Sequence, residues 1–109
     1  MTREFINAAI FDKRWEELGL SDDDLRDLQN ILLVNPKAGK IIEGTGGAAK
    51  IRYAILGKGK SGGVRVIYAD IESKGQLGLL ICYSKSKQDN LTQEQKKQLK
   101  VLIRIMKGE

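Results

Sequence analysis

The spacing of hydrophobic positions changes period along this chain, and the changes mark out its elements. Residues 3–7 read as a short strand. Phe11, Trp15 and Leu18 follow at i, i+4 and i+7, one face of a helix that Gly19 ends. Ser21 caps a second helix, and Asp22, Asp23 and Asp24 fill its first turn, where the dipole favours carboxylates. Capping accounts for this acidic cluster, which is therefore not read as a metal site. Leu25, Leu28 and Leu32 give the second helix its apolar stripe, and Asn35-Pro36 stops it. After Gly44 the period falls to two. Residues 48–56, 64–71 and 76–83 are predicted strands separated by glycine-containing turns, an antiparallel meander. Alternation places Lys50 and Arg52 on one face of the first of these, with Ile51, Tyr53 and Ile55 on the other. The third is apolar on both faces, as a strand inside a sheet should be. Thr92-Gln93-Glu94-Gln95 is a capping box opening a last helix, with Leu99, Leu102, Ile103 and Met106 on its apolar face.

The order βααβββα predicts an α+β fold: two N-terminal helices and a C-terminal helix packed with one mainly antiparallel four-stranded sheet. Residues 1–109 read as a single domain, without linker or repeat. Hydrophobic residues make up 41% and charged residues 30%, a globular balance. The longest apolar run, 77–83, is too short to cross a bilayer and no apolar leader opens the chain, so a cytoplasmic protein without a membrane partner is expected. The single Cys82 lies within that run and reads as a buried structural thiol. Trp15, Tyr53 and Tyr68 read as packing residues.

Charge changes the picture. The net charge is +5, but residues 1–34 sum to −4 and residues 35–109 to +9. Between Gly44 and Ala69 there are five basic residues, Lys50, Arg52, Lys58, Lys60 and Arg65, and no acidic one. Positive charge gathered on strands and a hairpin loop is a footprint for phosphate, and RNA is the polyanion it fits best. Lys96, Lys97 and Lys100 on the last helix extend the basic surface available to RNA or a ribosome. Histidine is absent, which removes histidine triads, a histidine base and ordinary zinc sites. No cofactor and no metal is expected.

Two patterns in the glycine loop are decoys. Gly57-Lys58-Gly59-Lys60-Ser61-Gly62 matches a dinucleotide-binding fingerprint, and Gly59-Lys60-Ser61 mimics the end of a phosphate-binding P-loop. Both mechanisms need a helix directly after the glycines, aimed at the phosphates. Here Val64-Arg65-Val66-Ile67-Tyr68 follows, which is a strand. What survives is a glycine-rich hairpin loop whose Lys58 and Lys60 can approach phosphates closely.

Taken in order, Asn35-Pro36, Gly44-Thr45-Gly46-Gly47, Lys50-Ile51-Arg52, residues 57–63, Arg65-Val66-Ile67-Tyr68, Tyr83-Ser84-Lys85 and Asn90-Leu91-Thr92 resemble the RelE/ParE toxin superfamily, and most of all its HigB-type members. The resemblance covers nearly the whole chain. One departure is Ala48-Ala49, where such relatives often carry a basic residue before the lysine. The resemblance implies a RelE-like fold and a ribosome-dependent endoribonuclease that cuts messenger RNA in the A site and stops translation. It also implies a cognate antitoxin, commonly of helix-turn-helix type, through which alone the protein would meet DNA. Lys50, Arg52, Arg65, Tyr83, Lys85 and Lys87 are the positions that match the catalytic residues of histidine-free relatives.

These residue types suit the chemistry. RNA brings its own nucleophile, the 2′-OH, so the protein needs only to take that proton, stabilise the phosphorane and protonate the leaving 5′-oxygen. Lys50 is the candidate base, Arg65 with Arg52 the phosphate clamp, and Lys85 or Lys87 the candidate acid. Tyr83 can stack on a base or share in proton transfer. Two other activities fit the same charges: a ParE-like DNA gyrase inhibitor, and an RNA- or ribosome-binding module that does not cut.

Overall fold

The computed structural model describes residues 3–55, 63–88 and 90–109. Its elements are β1 (Glu4–Asn7), α1 (Ala9–Glu17), α2 (Asp22–Val34), β2 (Lys40–Ile41), β3 (Ala48–Tyr53), β4 (Val64–Ile71), a 3-10 turn (Glu72–Lys74), β5 (Gln76–Ser84) and α3 (Gln93–Met106). They form an α+β fold on a five-stranded sheet of order β1-β5-β4-β3-β2.

The expected strand count is corrected from four to five. Lys40 and Ile41 pair antiparallel with Lys50 and Ala49, adding an edge strand too short to carry a readable period. The meander β3-β4-β5 is antiparallel as expected, while β1 runs parallel to β5 from Glu4 opposite Gln76 to Asn7 opposite Leu79. The return from β3 to β2 is a glycine turn. Gly44, Gly46 and Gly47 have φ of 82°, 74° and 123°, a backbone that side chains with a Cβ rarely adopt. Thr45 is buried in that turn, its hydroxyl donating to the Ile42 carbonyl at 2.6 Å and accepting from the Ala48 amide at 3.0 Å.

Helices cover both faces of the sheet. On one side, Phe11 and Trp15 of α1 and Leu28 and Leu32 of α2 pack with Tyr53, Val66, Tyr68, Leu77 and Cys82. Trp15 stacks on Phe11 with centroids 5.4 Å apart and leans on Tyr53 at 5.7 Å, the core anchor its spacing predicted. On the other side, Leu99 and Ile103 of α3 pack on Ala48, Ile67, Ala69, Leu80, Ile81 and Tyr83. Gly78 lets α3 settle there, since a Cβ would stand 3.0 Å from Met106 Sδ.

Caps and buried polar contacts fix the helices. In α2 the Asp24 amide donates to Ser21 Oγ at 3.1 Å, and Asp24 Oδ2 accepts from the Ser21 amide at 3.0 Å. The Tyr53 hydroxyl shares its proton between Asp24 Oδ1 at 3.2 Å and Asp27 Oδ2 at 3.1 Å, tying α2 to β3. The aspartate cluster thus caps and braces. Tyr68 ties the loop after α2 to β4, donating to the Pro36 carbonyl at 2.9 Å and accepting from the Gly39 amide at 2.7 Å. At the same end of the sheet Arg3 and Asp70 form a buried ion pair at 2.8 Å, with Lys37 beside it reaching Asp70 and Glu72.

A bulge in β5 decides which side chains share a face. Ile67 pairs with Ile81, but Tyr68 pairs with Leu79, so Leu80 is an extra residue. Before it, Leu77 and Leu79 point to the α1/α2 side. Plain alternation would send Tyr83 there too. After the bulge Cys82 takes that side, and Tyr83 joins the α3 side.

Candidate functional site

Because of that bulge, three side chains line up across the centre of the sheet. Arg52 of β3 stands opposite Arg65 of β4, and Arg65 opposite Tyr83 of β5. Residues directly opposite share a face, so this row lies on the α3 side, its Tyr83 end inside the apolar cluster that holds Leu99 and Ile103. Opposed Cα atoms in such a pair are about 5 Å apart, which brings the two guanidinium groups within reach of one phosphate. Lys50 lies one alternation further along the same face, about 7 Å from Arg52 by strand rise, opposite Ile67 on one side and Lys40 on the other.

The row is graded in exposure. Arg52 is exposed, Arg65 and Lys50 are half-buried, and Tyr83 is buried at 3%. No carboxylate among the described residues forms an ion pair with Lys50 or Arg65. Arg52 lies across Gly63, where a Cβ would come within 2.6 Å of its Nε. That glycine leaves open the space that the Arg52 guanidinium occupies.

Lys85 and Lys87 sit in the turn leaving β5, exposed, with the Lys87 amide donating to the Ser84 carbonyl at 3.2 Å. Gln88 anchors this turn to α3, its amide donating to Gln95 Oε1 at 2.6 Å and to the Asn90 carbonyl at 2.9 Å. Gln95 Oε1 also accepts from the Thr92 amide at 2.9 Å, completing the α3 capping box. The two lysines are therefore held near the Tyr83 end of the row by the start of α3.

The lysines assigned to RNA or ribosome binding are spread out. Lys96, Lys97 and Lys100 lie on α3, and Lys100 packs beside Gly46 at the β2–β3 turn, away from the row. Lys58 and Lys60 lie outside the described residues. Cys82 is fully buried, with its thiol 3.8 Å from the Phe11 carbonyl, and burial pushes its pKa up to about 12 against the opposing pull of Arg14. It stands protonated at neutral pH, as the structural thiol the sequence indicated. Sequence reasoning missed Lys13 and Arg14 of α1. Both lie in the acidic half of the chain, yet they border a cleft that contains Tyr83 and Lys87.

Chemically, the row offers a phosphodiester two opposed planar cations and an amine, with a buried phenol beside them, and no ion pair among the described residues engages Lys50 or Arg65. These features describe a small α+β protein with a cationic sheet end, and the same fold occurs among known proteins. The chain is similar to a solved structure of E. coli toxin RelE, an arginine-to-alanine double mutant in the free state, with 18% identity over 82% of this chain and 90% of that one and a TM-score of 0.56. The family described as RelE toxin of the RelE/RelB toxin–antitoxin system matches residues 4–108. The chain belongs to that family: it is a toxin of a toxin–antitoxin system, with a cognate antitoxin as its partner.

Proposed function

We propose that this toxin is a metal-independent endoribonuclease that cuts messenger RNA in the ribosomal A site and so inhibits translation. It is read as one domain over residues 1–109, working in the cytoplasm, of the HigB type within its superfamily, and neutralised by a helix-turn-helix antitoxin. The observation that carries this reading is the Arg52–Arg65–Tyr83 row, two guanidinium groups and a phenol on adjacent strands.

In the proposed reaction the scissile phosphate sits on Arg65 and Arg52, whose N–H groups bind the non-bridging oxygens as charge builds on them. Lys50 takes the proton of the 2′-OH, and that oxygen attacks the adjacent phosphorus. Lys85 or Lys87 gives a proton to the departing 5′-oxygen. Tyr83 is buried, ring and hydroxyl alike, so it does not stack on a base; its part is to support Arg65, which it faces across the strands, from within the cluster under α3. Lys58, Lys60, Lys96, Lys97 and Lys100 hold RNA or ribosome through charge. The ribosome has a physical role: without a strong base, the site depends on RNA already splayed into an in-line geometry.

The product ends test this chemistry. Cleavage by 2′-OH attack leaves a 2′,3′-cyclic phosphate and a 5′-OH, so polynucleotide kinase should label the downstream fragments without prior phosphatase treatment. Downstream fragments carrying 5′-phosphate would exclude the mechanism. DNA-damage signalling without translation arrest in expressing cells would point to a gyrase-directed toxin instead.

A further inference from the structure

The strand ladder leaves the end of β5 uncovered on its outer side. β1 pairs with β5 only as far as Leu79, and α1 stands beside the remaining residues. Between them opens a cleft of about 520 Å³. Lys13 and Arg14 come to it from α1, and Lys87 from the turn after β5. One carboxylate, Glu17, shares the cleft, yet no ion pair among the described residues engages any of the three cations. Ile10 and Leu18 supply an apolar wall, with Ile10 42% exposed. Ser84 and Gln88 add polar groups, and Tyr83 forms the boundary with the row.

We infer that this cleft is a nucleotide subsite for single-stranded RNA, taking the nucleotide that follows the strand past Tyr83, with its phosphate on Lys13, Arg14 and Lys87 and its base against Ile10 and Leu18. The inference rests on the endoribonuclease reading and extends it by making α1 part of the RNA-binding surface. Three features carry it. The volume lies within the range of ligand sites, about 300–1,000 Å³. The walls combine cations that form no ion pair among the described residues with an apolar surface, matching the two halves of a nucleotide. The cleft shares Tyr83 and Lys87 with the candidate catalytic site, so the two are contiguous and one bound strand can occupy both.

The test is binding of a fluorescein-labelled single-stranded oligoribonucleotide to the full chain, followed by anisotropy over a salt series. Wild type, the Lys13→Ala/Arg14→Ala double variant and Arg65→Ala are compared. Lys13 and Arg14 are exposed, so the double variant keeps its fold, which its melting temperature verifies. Each lost phosphate contact lowers the salt slope for a single strand by about 0.7. The double variant should therefore bind several-fold more weakly, with a slope smaller by about 0.7, since Lys13 and Arg14 share one phosphate. Wild-type affinity and slope in the double variant, with binding weakened in Arg65→Ala, would overturn the subsite and leave the endoribonuclease reading standing. Unchanged RNA binding together with lost capture by the cognate antitoxin would make the cleft a protein interface and likewise overturn the subsite. Absence of RNA binding by the wild type would overturn the subsite, while the endoribonuclease reading is decided separately by cleavage on translating ribosomes.

Discussion

Arg52 and Arg65 face each other across β3 and β4, two like charges set directly opposite on one surface of the sheet. Such a pair destabilises a sheet by roughly 0.2–1 kcal/mol, so the fold carries a small stability cost there. An anion bound between the two side chains reverses the sign of that interaction. The pair is therefore better suited to holding phosphate than to holding the sheet together.

Replacing Arg65 separates the two roles. Arg65→Ala should lower the rate of ribosome-dependent cleavage by about 10²–10³, the usual effect of removing one group that stabilises transition-state charge. The melting temperature should stay the same or rise by a few degrees, about 4–8 °C per kcal/mol for a domain of this size. Thermal melts and single-turnover cleavage on the same preparations check both. A large drop in melting temperature would reassign Arg65 to structure.

Gly63→Ala probes the row without removing any functional group. The new Cβ would meet Arg52 Nε at 2.6 Å, and Gly63 is not among the positive-φ glycines, so the strain falls on the guanidinium and not on the backbone. Cleavage should fall about tenfold or more, since misplacement by an ångström costs up to about 10². Stability should barely change. Activity equal to wild type would show that the position of Arg52 over this glycine is immaterial.

Alkaline pH should unfold the protein through Tyr53 and Cys82. Burial, reinforced by Asp27 and Asp24, holds the Tyr53 hydroxyl protonated well above the ordinary tyrosine range, and burial pushes Cys82 up to about 12. The unfolded chain releases these protons near their ordinary values, about 8.5 for cysteine and 10 for tyrosine. Both pKa values are raised on folding, so their contribution is complete below those values and is lost as pH climbs through them. Urea melts from pH 7 to 11 should show stability falling above about pH 8.5. Tyr53→Phe should be about 1–3 kcal/mol less stable at pH 7 because Asp24 and Asp27 lose a donor, with a shallower decline above pH 10.

Cys82 should be inert in the native protein. It is fully buried and protonated at neutral pH, whereas thiol reagents attack exposed thiolates. A chromogenic disulfide reagent should titrate no thiol in native protein and one per chain in guanidinium. Rapid native labelling would contradict the packing between β5 and α1.

Much of this fold was legible because its elements carry strong periodic signals. Phe11 and Trp15, the Ser21 and Thr92 caps, and alternation in β3 all point where the structure places them. The rest depends on long-range pairing that no local pattern encodes. Lys40 and Ile41 are too few to show a period, and the parallel pairing of β1 with β5 joins residues far apart in the chain, Glu4 with Gln76. The bulge at Leu80 was hidden because Leu79, Leu80 and Ile81 are all apolar and both faces of β5 are buried. For the site, Lys50, Arg52 and Arg65 could be assigned to one sheet face by parity and resemblance. Lys13 and Arg14 could not be connected to them, because the acidic charge of residues 1–34 conceals two cations that folding brings beside Tyr83.

Primer extension on a defined message, with and without translating ribosomes, tests the central claim most directly when wild type and Arg65→Ala are compared. The account predicts cuts in the A-site codon only when ribosomes are present, and their near disappearance in the folded Arg65→Ala variant. Equal cutting by both proteins, or no cutting by folded wild type on translating ribosomes, would contradict it.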